Sequence, residues 1–364
     1  MKKICYCIES LYNSGGMERV LSVVADLLVD GFDVSIVTMK QEDKPYYFPV
    51  SQNVHLYDLG VTELVKKCDV KNRLDSFLKS KHFDVVVSLG GLDLSFLHSM
   101  MDGSKKIVWF HFAIDIAKTT WVGPNPNLVK KIKAQLQTWR RIYYARKYDR
   151  IVVISKADLK EWMKYTNKAE LIYNPVTIAP PQQTNRMSKC VISVGRLDFQ
   201  KGYDFLIDAW KIVAEKHSDW HLDIYGEGSL RGQLQAQIVK LNLSDAISLR
   251  GRVANIEKEY ANHSIYVMSS RAEGFGLVLL EAALCGLPLI AFDCPSGPSE
   301  IIEDGENGFL INKVGDVHSM ADKICLLIEN ASLRNRMGEK AIKLKKDFSV
   351  SVITKQWISL LNNM

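Results

Sequence analysis

The chain lacks any uninterrupted apolar run of eighteen residues, which excludes a membrane-spanning helix of ordinary length. Cysteine is sparse and unpatterned: Cys5, Cys7, Cys68, Cys190, Cys285, Cys294 and Cys325 include no pair at zinc-ligand or redox spacing. Such a set predicts buried reduced thiols and a cytoplasmic compartment. The amino terminus, MKKICYCIESLY, turns polar too soon for a signal peptide and reads as a first strand. Charge of one sign is not in large excess. Forty-seven basic against 41 acidic residues leave +6, and no nucleic-acid module accompanies it, so nucleic acid is not an expected partner. There is no internal repeat and no G-x-G-x-x-G, and a nicotinamide-dependent oxidoreductase would need that fingerprint.

What is present is alternation. At 364 residues the chain is long enough for two domains. Short β-branched runs alternate with longer amphipathic ones, the pattern of parallel α/β units. Strands are expected at 4–8, 33–38, 85–88, 107–110 and 151–154, with helices at 17–28, 75–80, 128–147 and 157–165. The second half predicts strands at 191–194, 221–225, 246–249, 265–268, 287–291 and 309–311. Its helices fall near 203–215, 230–241, 277–285 and 317–328. The fold class expected is α/β, two Rossmann-like domains facing across a cleft. The first occupies 1–176, a Pro-rich polar linker 177–190, and the second 191–346. A last amphipathic run over 347–364, carrying Val350, Ile353, Trp357 and Leu361, predicts a helix that crosses back to the first domain.

Four stretches carry candidate chemistry. In RAEGFGLVLLEAALCGLP, Gly274 and Gly276 make a turn between a strand and a helix, whose free N–H groups and positive dipole end suit a diphosphate. Glu273 and Glu281, at E-x7-E spacing, can accept hydrogen bonds from sugar hydroxyls. The plainer alternative is a pair of solvated acids at a helix end. In SVGRLDFQKG a strand ends at Gly195, and Arg196 and Lys201 follow at the carboxyl edge of the sheet. Together they could neutralise a departing diphosphate, or simply lie on a surface loop. In SGGMER, Gly15 and Gly16 allow close approach of backbone to a ligand, or form a tight turn. His111 follows a first-domain strand, either as a site residue or as a satisfied structural histidine.

With these motifs in view, the chain resembles the retaining glycosyltransferases of the GT-B fold, the family 4 group that includes sucrose-phosphate synthases and many bacterial cell-surface polysaccharide enzymes. The likeness runs nearly end to end through SGGMER, VISKADLKEW, IYNPV, SVGRLDFQKG, IYGEGSLR, LRGRV, RAEGFGLVLLEAALCGLP and GPSEIIEDGENGFLI. It implies that Arg196 and Lys201 grip the donor diphosphate, that Glu281 holds the ribose and that Glu273 holds the transferred sugar. It also implies backbone contacts from Gly195, Phe275, Gly276 and Leu277, and from Arg252-Val253 to the base. Gly15-Gly16 would lie over the diphosphate and His111 on the sugar. One position departs: Phe112 follows His111, where members often have Asn or Asp. No Asp-x-Asp occurs, so neither a metal nor another cofactor is expected, and the nucleotide-sugar, a UDP-sugar by this reading, is a co-substrate. The expected reaction moves a hexose or N-acetylhexosamine, with retention, to a glycan or lipid-linked acceptor. A sugar-nucleotide epimerase of the same fold and a non-catalytic partner subunit are the alternatives, and a partner subunit would typically lack Glu273, Arg196 or Lys201.

One basic run lies outside these motifs. KKIKAQLQTWRRIYYARKYDR predicts an amphipathic helix with Leu128, Ile132, Leu136, Trp139 and Tyr143 on one face. Lys130, Lys133, Arg140 and Arg141 fall mostly on another. Two readings stand: a core-packed helix with a solvated basic face, or contact with the anionic inner face of a membrane.

Overall fold

Apolar runs of four to six residues, too short for helices and rich in Val and Ile, form the strands of two open parallel sheets. The computed structural model describes residues 1–61, 66–119, 123, 127–176, 178–179 and 184–364. Of the expected linker, residues 177 and 180–183 lie outside the described residues. The chain divides into two compact units. One comprises Met1–Ile114, Leu136–Thr177 and Phe348–Met364; the other comprises Asp115–Gln135 and Ile178–Asp347. The second unit thus takes in 115–135, which an unbroken first domain over 1–176 would hold.

The first unit contains β1 (Lys3–Ile8), β2 (Asp33–Thr38), β3 (His55–Asp58), β4 (Val85–Ser88), β5 (Lys105–Trp109), β6 (Arg150–Val153) and β7 (Ala169–Leu171). Their spatial order is β3-β2-β1-β4-β5-β6-β7, all parallel. Helices α1 (Gly16–Leu28), α2 (Lys67–Lys81), α3 (Leu128–Ala145) and α4 (Lys156–Met163) fall between them in sequence. Helix α1 buries Val20, Leu21, Val24, Ala25 and Leu28, a stripe at helical spacing.

The second unit contains β8 (Cys190–Val194), β9 (His221–Tyr225), β10 (Ile247–Gly251), β11 (Ile265–Met268), β12 (Leu289–Phe292) and β13 (Gly308–Ile311). Their order is β10-β9-β8-β11-β12-β13, again all parallel. Its helices are α5 (Tyr203–Lys216), α6 (Arg231–Lys240), α7 (Ile256–Asn262), α8 (Leu277–Leu284), α9 (Val317–Glu329) and α10 (Ala331–Ile342). Leu206, Trp210, Leu222, Ile224, Met320 and Ile324 belong to one buried cluster here. Both strand orders reverse direction once, between β1 and β4 and between β8 and β11. Loops leaving those strands diverge and open a crevice at the carboxyl edge, where open α/β sheets bind ligands.

The last helix, α11 (Val350–Asn362), belongs to the first unit. Ser349 caps it by accepting from the Val352 N–H, and Ile353, Trp357, Leu360 and Leu361 are buried. The Trp357 ring meets Trp109 edge-on at 4.7 Å and Tyr6 at 6.3 Å, so the end of the chain packs on the middle strands of the first sheet.

Helix α3 reverses the core-packed expectation. Leu128, Ile132, Leu136, Trp139 and Tyr143 all face solvent, while Ala134, Thr138, Ile142 and Ala145 face the protein. The basic set needs a correction as well. Lys130, Lys133 and Arg140 are exposed, but Arg141 turns inward, donating to the Ala113 carbonyl at 2.9 Å and lying 5.5 Å from the Phe110 ring. Its helical phase puts it beside Ile142 and Ala145 on the packed side. No helix among the described residues is long and apolar enough to cross a membrane.

Candidate active site

At the switch point of the second unit three loops interlock. The loop leaving β8 runs through Gly195 and Arg196 into one 3-10 turn, Phe199–Lys201, capped by Asp198, whose carboxylate accepts the Lys201 N–H. It ends on Gly202 at φ +63°, and a Cβ there would meet the Ser269 carbonyl oxygen at 2.1 Å. Only glycine permits that approach. Ser269 in turn donates its hydroxyl to the Lys201 carbonyl at 3.0 Å. From the other side Gly226, after β9, presses on the Gly195 carbonyl, which a Cβ would approach to 1.9 Å.

Arg271 clasps the loops together. It forks onto the Asp204 carboxylate at 2.8 and 2.5 Å, donates to the Phe199 carbonyl, and lies about 4 Å from the rings of Phe199 and Phe205. Gln200 completes the seam by donating to the Ala272 carbonyl and accepting at its own carbonyl from the Arg271 N–H. Sequence reasoning placed Arg271 at the head of its motif but gave it no role. Its fork-shaped fit to an acid 67 residues away has no local signal.

This frame brings Lys201 and Glu273 together across 72 residues, Nζ to Oε1 at 2.8 Å. Both side chains are largely out of solvent, and Glu273 also accepts from the Ser270 hydroxyl at 2.5 Å. Removing either partner would strand a buried charge. The turn then reaches Gly274, Phe275 and Gly276, and Gly276 starts α8 at φ +89° with no side chain capping the helix. The first N–H groups of Leu277 and its neighbours are therefore available to an anion. Glu281, one helical turn further on and 3% exposed, accepts from the Tyr260 hydroxyl of α7 at 3.4 Å. The loop that opens the stretch GPSEIIEDGENGFLI, given no role in the sequence reading, also joins the turn: the first residue of that stretch, Gly297, at φ +102°, sits where a Cβ would meet the Phe275 carbonyl at 2.3 Å. Buried Cys294 lies in the same loop, its thiol pushed up first by burial and then by the Glu273 charge.

Arg196 shares the β8 loop but not the pair. Its side chain is exposed, paired with Asp198 at 3.1 Å and donating to the Gln200 side-chain oxygen at 3.5 Å, surface contacts that contribute little and yield readily to a ligand. At the end of β10, Gly251 accepts from the Gly226 N–H, and Arg252 and Val253 follow on an exposed loop. Beside Val253 opens a cavity of about 440 Å³ whose lining includes Tyr225, Arg250 and Glu259. At its floor Asp223 feels burial most, which raises its pKa, but hydrogen bonds from His263 and Arg250 outweigh this and hold the carboxyl below its ordinary value.

In the first unit Gly15 precedes α1 and Gly16 opens it. The side chain of Glu18 folds back so that a Cβ on Gly15 would meet its carboxylate. His111 lies two residues beyond β5, buried, its ring 4.3 Å from that of Trp109 and its Nε2 without a partner. Burial pushes its pKa down to about 3, so the imidazole is neutral at physiological pH and can donate or accept a hydrogen bond but not carry charge. Asp93, just past β4, was not expected: it is buried, one carboxylate oxygen lacks a partner, and burial lifts its pKa to about 6.

The family comparisons divide the chain at the same place as its sheets. Residues 14–179 match the family described as Glycosyltransferase Family 4, and residues 177–344 match Glycosyl transferases group 1. The chain is a glycosyltransferase of the GT-B, family 4 type. The transferase is 29% identical over 370 residues to an uncharacterized glycosyltransferase of Haemophilus influenzae, covering 99% of this chain and all of that one. It is 27% identical over 378 residues to the amylovoran biosynthesis glycosyltransferase AmsD of Erwinia amylovora, covering the whole of both. In fold it is similar to a variant of TarM from S. aureus, with a TM-score of 0.84 over the whole of both chains at 18% identity. That TarM structure holds UDP, fondaparinux and alpha-GlcNAc-glycerol.

Proposed function

We propose that this transferase moves a hexose or N-acetylhexosamine from a UDP-sugar to a hydroxyl of a glycan or lipid-linked saccharide in cell-surface glycan synthesis. The observation that carries the reading is the Lys201–Glu273 pair, held beside the uncapped start of α8 at the switch point of the second unit. In this reading the helix start and Lys201 receive the diphosphate, Arg196 leaves Asp198 to join them, and Glu281 binds the ribose. Glu273, freed from Lys201, takes hydroxyls of the transferred sugar, while the Arg252-Val253 loop meets the base. The bond from the anomeric carbon to the diphosphate breaks as the acceptor oxygen bonds the same face. The acceptor proton passes to the departing phosphate oxygen, so configuration is retained. The two cations supply the charge stabilisation that a metal would otherwise provide, which makes the reaction metal-independent.

UDP as the nucleotide is supported by the ligand of the TarM structure, and the glycan role by the name of the Erwinia relative. Seven free cysteines fit the cytoplasmic side of the membrane, where the acceptor would be met at the inner face. Calorimetric titration of UDP, GDP and ADP tests the reading. UDP should bind most tightly, and Glu281→Ala and Arg196→Ala should each weaken it at least tenfold. Equal weak binding of all three nucleotides, insensitive to both substitutions, overturns it.

A further inference from the structure

Among the described residues, helix α3 carries an apolar stripe that is covered only in part, where Trp139 meets the Tyr165 ring edge-on at 5.9 Å. Five large apolar side chains at helical spacing are more than half exposed: Leu128 72%, Ile132 51%, Leu136 58%, Trp139 52% and Tyr143 58%. At 3.6 residues per turn they occupy one outward arc of about 100°. Singly exposed apolar residues are ordinary, but a contiguous stripe marks a surface that something else covers. The opposite side is firmly seated. Ala134 packs on Ala117, Ile142 and Ala145 enter the core of the first unit, and Arg141 is tied to the Ala113 carbonyl. The stripe therefore cannot turn inward without unseating that side.

Charge states what kind of partner fits. Residues 128 to 148 hold seven Lys or Arg and no Asp or Glu. Lys133, Arg140 and Lys147 are exposed beside the apolar arc, and Trp139 and Tyr143 lie in the half of the helix that Arg146 and Lys147 follow. A second copy bringing the same face would set Lys133, Arg140 and Lys147 against the same three cations, which disfavours a two-fold dimer. Nucleic acid would meet the cations but offers no apolar phase for the stripe. A bilayer with anionic headgroups satisfies both: acyl chains take the leucines and isoleucine, the headgroup layer takes Trp and Tyr, and phosphates take the cations.

We propose that the outward face of α3 lies in the headgroup layer of an anionic membrane, with Leu128, Ile132, Leu136, Trp139 and Tyr143 immersed and Lys133 and Arg140 on lipid phosphates. This docking does not depend on the donor reading, because no residue of α3 is assigned to nucleotide binding.

The test is co-sedimentation of the full chain with phosphatidylcholine vesicles, with and without one third phosphatidylglycerol. UDP titration of each variant serves as the check on folding. The unmodified chain binds the anionic vesicles and leaves the neutral ones. Lys133→Gln with Arg140→Gln lowers the partition coefficient by roughly 30-fold, from the contribution of about 1 kcal/mol for each basic residue near an anionic surface. Leu136→Glu with Trp139→Glu abolishes binding, and both double variants keep the UDP affinity of the unmodified chain. Absence of binding to anionic vesicles overturns the proposal. So does a concentration-dependent dimer that the Leu136→Glu, Trp139→Glu variant turns into a monomer while vesicle binding persists, because the stripe is then a protein interface.

Discussion

Helices α8 and α3 are both rich in apolar residues and sit in opposite surroundings. Six of the eight residues of α8 are buried, including Glu281, so its apolar side chains are covered within the protein. Along α3 the larger apolar residues are the exposed ones, and its inward side is made of Ala134, Thr138, Ile142 and Ala145. A helix apolar on all sides can hold a carboxylate rigidly, because packing leaves the side chain few alternatives. A helix with a bulky outer stripe and a small inner one is instead seated closely and still apolar outside. The first kind builds a site, and the second builds a surface.

The sharpest way to break this contrast is at Glu273, which the frame around α8 exists to hold. Glu273→Gln keeps the shape but removes the charge, and it should lower the transfer rate by about 10²–10³-fold, the size of losing one preorganised electrostatic contact. Initial-rate measurements with a UDP-sugar check it; an unchanged rate would reduce Glu273 to a structural acid. One chemical change made on both helices comes next. Leu280→Ala, on a residue 1% exposed in α8, should cost about 3 kcal/mol in urea unfolding.

The first unit supplies a finer comparison of two buried titratable groups. For His111 the folded-state pKa of about 3 lies below the ordinary histidine value of about 6.5. Between those values the unfolded chain binds more protons, so this group takes stability away as pH falls from 6.5 toward 3. Asp93 works the other way: its pKa of about 6 lies above the ordinary value of about 3.9, so stability is lost as pH rises through that interval. His111→Asn should therefore flatten the acid limb of the urea midpoint, and Asp93→Asn should steepen it. The smallest expected effect closes the α8–α3 comparison. Leu136→Ala, on a residue 58% exposed, should change stability by about 0.5 kcal/mol or less, although the atoms removed are those removed in Leu280→Ala.

Most of the fold was legible because a parallel strand buried on both faces must be written in apolar residues. Strands such as DVSIVT and HLDIY carry that mark. The two strands missed in the first unit do not. The sequence of β3, HLYD, is only half-buried, and β7 has three residues, AEL, at the sheet edge. Helices α7 and α10 were missed for a related reason: each buries few apolar side chains, so periodicity is weak. At the candidate site the loops were legible from Gly, Arg, Lys and Glu following strands. The Lys201–Glu273 pairing, the Arg271 clasp and the approach of Gly297 to Phe275 were not, because each joins positions set by the sheet rather than by sequence neighbourhood. For α3 periodicity revealed an amphipathic helix but not its orientation. Two apolar stripes share that helix, and the one with the larger side chains is the one left outside.

The return of α11 has a consequence for how the protein is made. Trp357 closes a cluster with Tyr6 and Trp109, and Lys2 donates to the Leu361 carbonyl at 3.0 Å, so the first sheet is finished by residues translated after the whole of the second sheet. During synthesis Tyr6 and Trp109 emerge early, and Trp109 waits without its cover while about 250 further residues are added. The second unit, whose sheet lies between residues 190 and 311 and which ends at Asp347, has all its parts outside the ribosome sooner than the first. Birth order and completion order are therefore reversed: the sheet that appears first is the one completed later.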